Sequence, residues 1–451
     1  MPQSLIIKHS ASVFYQKVNK GMIVRNMICA LFIIVPPLNA HGDFSGTLEQ
    51  ESASNTGDNK KNDTQISLEW ETGINSVSSL TSISRIRIDS VGDLGLDDYE
   101  AKNYSELNGP IYSDDKVSLE LREFYIDLDV QSGYWRIGKQ QIVWGQSDGL
   151  KILDVINPQS YREFVLDEFS DSRIPLWTVN AEFPLGLEGT IQILWIPDTT
   201  YHELPSGGSP YSWSFDISED SSILKNRTVS YTQKKPGSIQ SDSDAGFRYK
   251  VFAGGWDVTL NYFYHYHDFP VTYLKDEGDF ILVETKFERN HLLGGTLSNV
   301  FDDFTIRGEV GASSNTFHAS INPNSLGVED SRDISTVMGI DWQGLDDTIL
   351  SFQIFRSYLL DYNKDIVRSK SEDATSLSYT RQFFNETLEL SISNLHSFNN
   401  EDGLFRTDFN YLWQDNFDIW VGLDVFYGSQ GMFGQFDKRD RLVVGLKWGY
   451  L

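Results

Sequence analysis

The chain has 451 residues, of which 40% are hydrophobic and 13% aromatic, so it carries enough apolar material for a large folded structure and is not a disordered chain. Its 64 acidic residues against 37 Lys and Arg give a net charge of −27, which excludes nucleic acid as a partner because phosphates attract basic surfaces. The single cysteine, Cys29, excludes a disulfide framework, a cysteine zinc site and a catalytic thiol.

The first forty residues have the pattern of a secretory signal peptide. They contain four basic and no acidic residues, with an apolar stretch at residues 27–35 and a small residue at Ala40. The apolar stretch is too short to anchor the chain as a membrane-spanning helix. We expect residues 1–40 to be removed on export, which leaves residues 41–451 without cysteine. An N-terminal core helix is the other interpretation.

The rest of the sequence alternates between apolar and polar residues with a period of two, most clearly at residues 256–267, 417–427 and 442–450. Successive side chains of a β-strand face opposite sides, so this pattern predicts strands with one apolar face. About eighteen strands can be placed in this way, with sixteen as the alternative. Short turns such as Gly254-Gly255 alternate with long polar links such as residues 197–243.

This layout is typical of an outer-membrane β-barrel, in which short periplasmic turns alternate with long outer loops. Hydrocarbon offers no water to backbone amides, so a sheet that spans it must close on itself. Aromatic residues gather at the predicted strand ends, where an apolar band would meet lipid headgroups: Trp70, Trp195, Trp342, Tyr411, Trp413, Trp448 and Tyr450. A soluble β-sandwich or propeller would also alternate but would not explain the aromatic ends. We therefore predict a closed antiparallel transmembrane β-barrel in the bacterial outer membrane.

One predicted strand, at residues 117–130, changes its apolar face midway. The apolar residues have one parity before Arg122 and the other parity after it: Val117, Leu119 and Leu121, then Phe124, Ile126 and Leu128. Either a β-bulge near Arg122 switches the faces, or the first half of the strand rises above the membrane. The long link before this strand favours the second interpretation.

If the apolar parity faces lipid, the opposite parity lines the lumen. It contains charges of both signs, which are stable only in water or as ion pairs: Glu69, Arg85, Arg87, Arg136, Arg248, Arg307, Glu309, Asp341, Arg406, Asp424, Arg441 and Lys447. Barrels of about 16–18 strands are wide enough for a water-filled channel. One interpretation is a pore whose charged walls bias which solutes pass. The other is a closed interior filled by ions that pair with one another.

The link at residues 144–172 differs from the other links because part of it is apolar. Leu150, Leu153 and Ile156 can share one face of a helical turn that the Asn-Pro pair at 157–158 would end. An apolar segment is unstable in water, so we predict that it folds into the barrel and narrows the lumen; an outward lid or a subunit contact is the alternative. For Asp154 and Asn157 we favour an anchoring role over solute contact. The full set of candidate lumen and constriction residues is Arg85, Arg87, Arg136, Asp154, Asn157, Arg162 and Arg173.

Several of these motifs are similar to those of a known family. The run Arg-Ile-Gly-Lys-Gln-Gln-Ile-Val-Trp-Gly at 136–145, followed by Asp154, Asn157-Pro158 and Arg173-Ile174-Pro175, resembles a Gram-negative family of uncharacterised, porin-like outer-membrane β-barrels. The stretch Phe433-Gly434-Gln435-Phe436 before an aromatic final strand is similar as well. The resemblance implies an outer-membrane location and a channel role, without a known substrate.

The sequence predicts no enzyme, because it contains neither a nucleophile elbow nor a glycine-rich phosphate loop, and it predicts no cofactor or metal site. Two transport functions remain open. One is passive passage of small solutes through a channel constricted by residues 144–172. The other is a plugged barrel that acts as an outer-membrane partner in transport of lipid or hydrophobic cargo. The expected partners are outer-membrane lipid, lipopolysaccharide, a small-molecule solute and the barrel-insertion machinery, and a homo-oligomer is compatible with the sequence.

Overall fold

The alternating segments form a single closed sheet of eighteen antiparallel strands. The computed structural model describes residues 42–55, 58–92, 103–205, 209–212, 228–322 and 324–450, so the predicted signal peptide lies outside the described residues. The strands, in chain order, are β1 (Asp43–Asn55), β2 (Asp58–Asn75), β3 (Ser78–Asp89), β4 (Tyr112–Ser113), β5 (Val117–Val130), β6 (Gly133–Gln140), β7 (Leu176–Leu185), β8 (Gly189–Ile196), β9 (Thr228–Lys234), β10 (Asp244–Ala253), β11 (Trp256–Tyr266), β12 (Val271–Asp276), β13 (Phe280–Lys286), β14 (Arg289–Phe301), β15 (Phe304–Ala319), β16 (Val328–Trp342), β17 (Thr348–Leu359), β18 (Ser371–Phe383), β19 (Leu388–Ser397), β20 (Asp402–Gln414), β21 (Phe417–Tyr427) and β22 (Arg441–Tyr450).

All strands except β4, β9, β12 and β13 belong to the barrel wall, and each pairs with the next wall strand along the chain. The circle is closed by β22, which pairs with β1 from Gly46 opposite Tyr450 to Ser54 opposite Leu442. The prediction of about eighteen strands is therefore confirmed, and the alternative of sixteen is wrong.

Four strands outside the wall escaped the sequence analysis because they are short and lie within the polar links. The two residues of β4 pair with the start of β5. A separate sheet contains β9, β13 and β12, with β9 parallel to β13. The described residues also contain two four-residue α-helices, α1 (Phe169–Ser172) and α2 (Gly431–Gly434). Within those same residues no helix combines the length and the apolar character needed to cross a membrane.

The two faces of the barrel wall differ in polarity as predicted. On β14, Leu293 and Leu297 are 54% and 43% exposed, whereas Asn290 and Thr296 on the opposite face are 1% and 5% exposed. The outside of the closed sheet is thus apolar, and the inside carries the polar residues. A lipid bilayer requires this arrangement because hydrocarbon cannot satisfy polar groups. The protein is therefore an outer-membrane β-barrel.

Aromatic side chains form a belt at the strand ends next to the short turns. Neighbouring rings lie 6.3 Å apart for Trp448 and Tyr450 and 6.4 Å apart for Tyr411 and Trp413. All four rings are at least 43% exposed. Amphipathic rings are favoured where the apolar band meets the headgroups, so this belt marks one boundary of the membrane-embedded region.

The change of parity in β5 is caused by a β-bulge, so the interpretation favoured from the sequence is wrong and its alternative is right. Ser84 on β3 lies opposite Leu121, but the adjacent Ile83 lies opposite Glu123, which leaves Arg122 as an extra residue. A bulge lets the strand continue in the sheet while its apolar residues move to the other parity. The whole of β5 therefore keeps its apolar side chains outside.

Deletion of Arg122 is expected to prevent most of the protein from folding. Without the extra residue, Val117 and Leu119 would turn into the lumen, and Glu120 would face lipid, or the strand would lose its register with β3. The yield of protease-resistant barrel after refolding into detergent measures this effect. Arg122→Ala is the matched control, because it keeps the residue count and should still fold; equal yields of the two variants would contradict the prediction.

Candidate channel constriction

The segment between β6 and β7, residues 141–175, crosses the interior of the barrel and is called the lumen loop here. Its backbone amides at Gln146 and Leu153 donate to the Glu309 carboxylate on β15, at 2.7 and 2.6 Å. Its Glu163 contacts Lys61 on β2 and Arg441 on β22, at 2.5 and 2.7 Å. β15 and β2 lie on opposite sides of the eighteen-strand circle. A single segment can reach both walls only through the lumen.

The predicted helical turn in this segment is absent. Residues 149–158 contain no helix: the Leu153 amide donates to the Glu309 carboxylate of the wall, and the Val155 amide donates to the carbonyl of Leu153. Leu153 and Ile156 are buried in one apolar cluster, whereas Leu150 packs against another that contains Val337 and Phe355. Burial of Leu153 and Ile156 was thus correctly expected, but the helical turn was predicted wrongly, because a wall carboxylate takes the place of a helical carbonyl as acceptor for the Leu153 amide.

The first part of the lumen loop packs tightly on the wall. The ring of Trp144 meets Phe263 of β11 edge to face at 5.9 Å, and its indole nitrogen donates to Gln192 of β8 at 2.9 Å. Leu153 is fully buried against β14. A Cβ atom at Gly294 would overlap a Leu153 methyl group, so only glycine permits this approach.

Two of the candidate residues anchor the base of the lumen loop. The side-chain oxygen of Asn157 accepts from the amide of Ile142 at 2.7 Å, and its nitrogen donates to the carbonyls of Gln140 and Ile174. These bonds tie the two ends of the loop together. Asp154 accepts from the Arg173 guanidinium at 2.7 Å, with Lys151 at 3.2 Å. Both residues therefore contact other parts of the lumen loop, as an anchoring role requires.

The far end of the lumen loop is held by a buried ionic contact. Glu163 is 1% exposed and lies between Lys61 and Arg441, and Arg441 also contacts Asp424 at 2.6 Å. Burial alone would raise the pKa of the Glu163 carboxyl, but Lys61 and Arg441 outweigh burial and hold that pKa well below its usual range. The carboxylate is therefore ionised whenever the loop is in place.

The next residue, Phe164, has a left-handed backbone with φ of 58°. This conformation costs about 1–2 kcal/mol for a residue with a side chain, so the surroundings must stabilise it. They do so through ring contacts with Phe436 at 4.8 Å, Phe433 at 5.8 Å and Phe426 at 6.2 Å. The tip of the lumen loop is thus fixed by an aromatic cluster beside the ionic contact.

Arginines on β3 and β5 hold the returning part of the lumen loop. Arg122, the bulge residue, donates to the carbonyls of Ser170, Asp171 and Arg173 at 2.8, 3.0 and 2.5 Å. Arg85 pairs with Glu120 and lies 3.7 Å from Asp171. The bulge therefore has a second role. Besides keeping the apolar side chains of β5 outside, it turns the guanidinium of Arg122 toward the lumen loop.

The remaining candidate residues lie in two places. Arg87 contacts Asp63 at 3.1 Å and lines a small pocket together with Arg162, whose guanidinium lies 3.9 Å from Glu203. Arg136 makes a two-pronged contact with Asp127 near the short turn that follows β5. Arg136 therefore lies away from the wall residues that contact the lumen loop.

Four residues that organise the site were missed from the sequence: Lys61, Arg122, Glu163 and Gln353. Gln353 lies on β17, and its side-chain oxygen accepts from the Asp148 amide of the lumen loop at 3.1 Å. Two of the four carried a signal in the sequence. Glu163 is an acid within the apolar run 161–166, and a carboxylate in apolar surroundings needs buried partners. Arg122 stands where the parity of β5 changes. No sequence signal identifies Lys61 or Gln353, because the loop residues that they contact are about 100 or more residues away.

Replacement of Asp167 is expected to change the pH dependence of loop docking. Burial, followed by the nearby Glu163 charge, raises the pKa of the Asp167 carboxyl. A raised pKa means that the docked loop is most stable when Asp167 is protonated and loses this stabilisation as the pH rises through that pKa. Asp167→Asn should therefore protect the lumen loop from protease better than the natural residue at pH 8, with no difference at pH 4. Equal protection at both pH values would contradict this assignment.

One strip of the lumen wall lies beyond the described contacts of the lumen loop. It consists of small, partly exposed hydroxyl side chains on the inner face of β18 and β19: Ser378, Thr380, Ser391 and Ser393. Farther along the same strands the loop reaches the wall, since a Cβ atom at Gly149 would lie 3.6 Å from Leu395 and 3.9 Å from Ser376, and Leu150 packs on the cluster that contains Ala374. The inward charges on β2, β3 and β22 are buried, as Lys61, Arg87 and Arg441 show with exposures of 4–8%.

Comparison with known proteins agrees with this architecture. No curated protein matches the chain. Among solved structures, Pseudomonas aeruginosa OpdK with vanillate is 10% identical, with 91% of this chain and 98% of that chain covered and a TM-score of 0.51. Acinetobacter baumannii OccAB4 is 9% identical, with coverages of 92% and 100% and a TM-score of 0.51. Pseudomonas aeruginosa OccK2 (OpdF) in complex with glucuronate is 10% identical, with coverages of 91% and 98% and a TM-score of 0.50.

These identities establish a shared barrel fold and nothing further. A sequence family described as "Protein of unknown function (DUF1302)" matches residues 44–451, which is almost the whole predicted mature chain. The match agrees with the expected resemblance to an uncharacterised family of outer-membrane barrels. The chain belongs to the DUF1302 family.

Proposed function

We propose that the protein is an outer-membrane channel for passive passage of small solutes, with the lumen loop as its constriction. The observation that carries the proposal is the uncovered polar strip on β18 and β19, next to the part of those strands that the lumen loop contacts. Hydroxyl groups can replace the water that a hydrated solute loses when it enters a narrow passage. The proposal assigns transport and no catalysis to the protein.

The charges on the wall support a constricted passage rather than a wide one. Many of them are neutralised locally, as in the pairs Arg406–Asp424 and Lys250–Asp257, both at 2.8 Å. Paired ions therefore occupy part of the interior, and in the proposed channel solutes would pass the polar groups that remain partly exposed.

A plugged barrel for lipid or hydrophobic cargo is less well supported. Such a function needs apolar lumen surface that is open to the cargo. The inward apolar residues Phe263 and Leu292 are 1% and 5% exposed and are already covered by Trp144, Leu153 and their neighbours. Phe352, another large apolar residue, does not add to such a surface because it points outward, with 39% exposure.

The test is conductance in planar lipid bilayers. The purified protein should give stepwise current increments, and their absence would overturn the proposal. Ser378→Trp places a large side chain on the uncovered strip and should lower the conductance, whereas Leu377→Trp on the lipid-facing side of the same strand should not. Glucuronate and vanillate, which occupy solved barrels of the same fold, are suitable solutes for parallel permeation measurements in liposomes.

The proposal includes the export route and the partners. Residues 1–40 would direct secretion, and residues 41–451 would be inserted by the barrel-insertion machinery among lipid and lipopolysaccharide. Cleavage after Ala40 can be checked by N-terminal sequencing of the outer-membrane form. Cross-linking in native membranes would determine whether the barrel forms a homo-oligomer.

A further inference from the structure

The tip of the lumen loop meets a second inward-folded segment, the β21–β22 loop at residues 428–440. Phe433 and Phe436 of that loop are each 2% exposed and pack on Phe164. Arg441, the first residue of β22, contacts the adjacent Glu163 at 2.7 Å. These five residues are called the tip contact. It joins two loops that are separated by more than 250 residues in the sequence.

The β21–β22 loop is rigidly attached to the wall. The fully buried carboxylate of Asp402 accepts from the amides of Phe433 and Gly434 at 2.7 and 3.2 Å. A Cβ atom at Gly434 would lie 3.0 Å from the carbonyl carbon of Gly428, so the loop backbone is closely packed on itself. The loop thus presents its two rings as a fixed surface.

The lumen loop, in contrast, is attached in three separate regions. Its base is tied together by Asn157 and packed on the wall through Trp144 and Leu153. Its returning part is held by Arg122 and Arg85. Its tip is held by the tip contact and by Lys61 against Glu163, and Phe164 there adopts a backbone conformation that the surrounding rings must stabilise. Strained residues held by their surroundings are common in segments that move.

We propose that the tip contact holds the constriction at its narrowest and that its release lets the tip of the lumen loop leave the far wall and widen the passage while the base stays in place. The β21–β22 loop would thereby control the constriction. This inference rests on the proposed channel function. Loops that swing from one anchored end are a recurrent way to gate access to an interior.

The test compares the same folded molecules with the tip contact fixed and released. Phe164→Cys and Phe436→Cys are combined and joined with a reducible bismaleimide. The only natural cysteine, Cys29, lies in the predicted signal peptide, so labelling is specific. The cross-linked channel should keep the low conductance of the natural protein in planar bilayers. Addition of reductant should raise its conductance several-fold, because the substitutions have removed two of the three rings from the contact.

A matched control joins the base of the loop to the wall. Trp144→Cys and Phe263→Cys replace rings at a similar separation, 5.9 Å, and reduction of their cross-link should leave gating unchanged. Failure of the tip pair to cross-link would overturn the contact itself. A cross-link that forms but leaves the conductance unchanged on reduction would overturn the gating role of the tip contact while the channel function stands. Absence of current in every state, including the natural sequence, would overturn the channel function and this inference with it.

Discussion

Removal of residues 150–166 is expected to raise the single-channel conductance several-fold. The deleted segment contains the part of the lumen loop that crosses from Glu309 on β15 to Lys61 on β2. The remaining residues are enough to connect β6 with β7, which are adjacent in the wall, so the barrel should still close. Conductance of a water-filled passage rises with its open cross-section, and single-channel recordings in planar bilayers measure the change.

A deletion of residues 361–369 serves as the control. These residues connect β17 with β18 at the same end of the barrel, and their described contacts are with β16, the neighbouring loop and the adjoining ends of β17 and β18. That deletion should leave the conductance within the scatter of the natural protein. An unchanged conductance after removal of residues 150–166 would show that the lumen loop does not limit passage. A barrel that binds hydrophobic cargo would instead lose binding without a gain in current.

Glu163→Leu is expected to destabilise docking of the lumen loop by about 3 kcal/mol, because it leaves Lys61 and Arg441 buried with one partner fewer. Backbone amides of residues 159–168 should then exchange hydrogen faster, which mass spectrometry of the folded barrel can measure. The pKa of Glu163 is lowered in the docked state, so its contribution should be complete above pH 4.5 and disappear only as the pH falls through the lowered value.

A second variant distinguishes the loss of the Glu163 charge from a general packing defect as the cause of weaker loop docking. Lys61→Leu combined with Glu163→Leu should recover part of the loss, because it removes one of the two cations left without that partner. Asp148→Asn is the control for an exposed pair. Asp148 lies 2.6 Å from Arg307 but its side chain is 62% exposed, so the change should cost less than about 1 kcal/mol. A Glu163→Leu effect as small as that of Asp148→Asn would contradict the assignment of Glu163 as an anchor.

Several features of the site could be predicted because they depend on local patterns. Alternation alone is enough to place Glu309, Arg307 and Arg441 on the inner face, and the apolar residues of segment 144–172 required burial somewhere. The helical turn at 150–156 was predicted wrongly, since spacing alone cannot reveal that Glu309 would replace the segment's own carbonyls as hydrogen-bond acceptor. The change of parity at Arg122 could be seen in the sequence. Whether a bulge or a raised strand causes it could be decided only from the pairing of β5 with β3.

The sequence by itself determined the number of wall strands and the side of the wall that faces lipid, because both follow from the period of two in the alternation. It also indicated that residues 144–172 fold inward, because apolar side chains are unfavourable in water. Only the tertiary structure decided which residues hold that loop. Lys61, Glu163 and Phe433 lie far apart along the chain and meet only when the sheet closes into a circle. Closure brings the first and last strands together, and this juxtaposition has no counterpart in any local pattern.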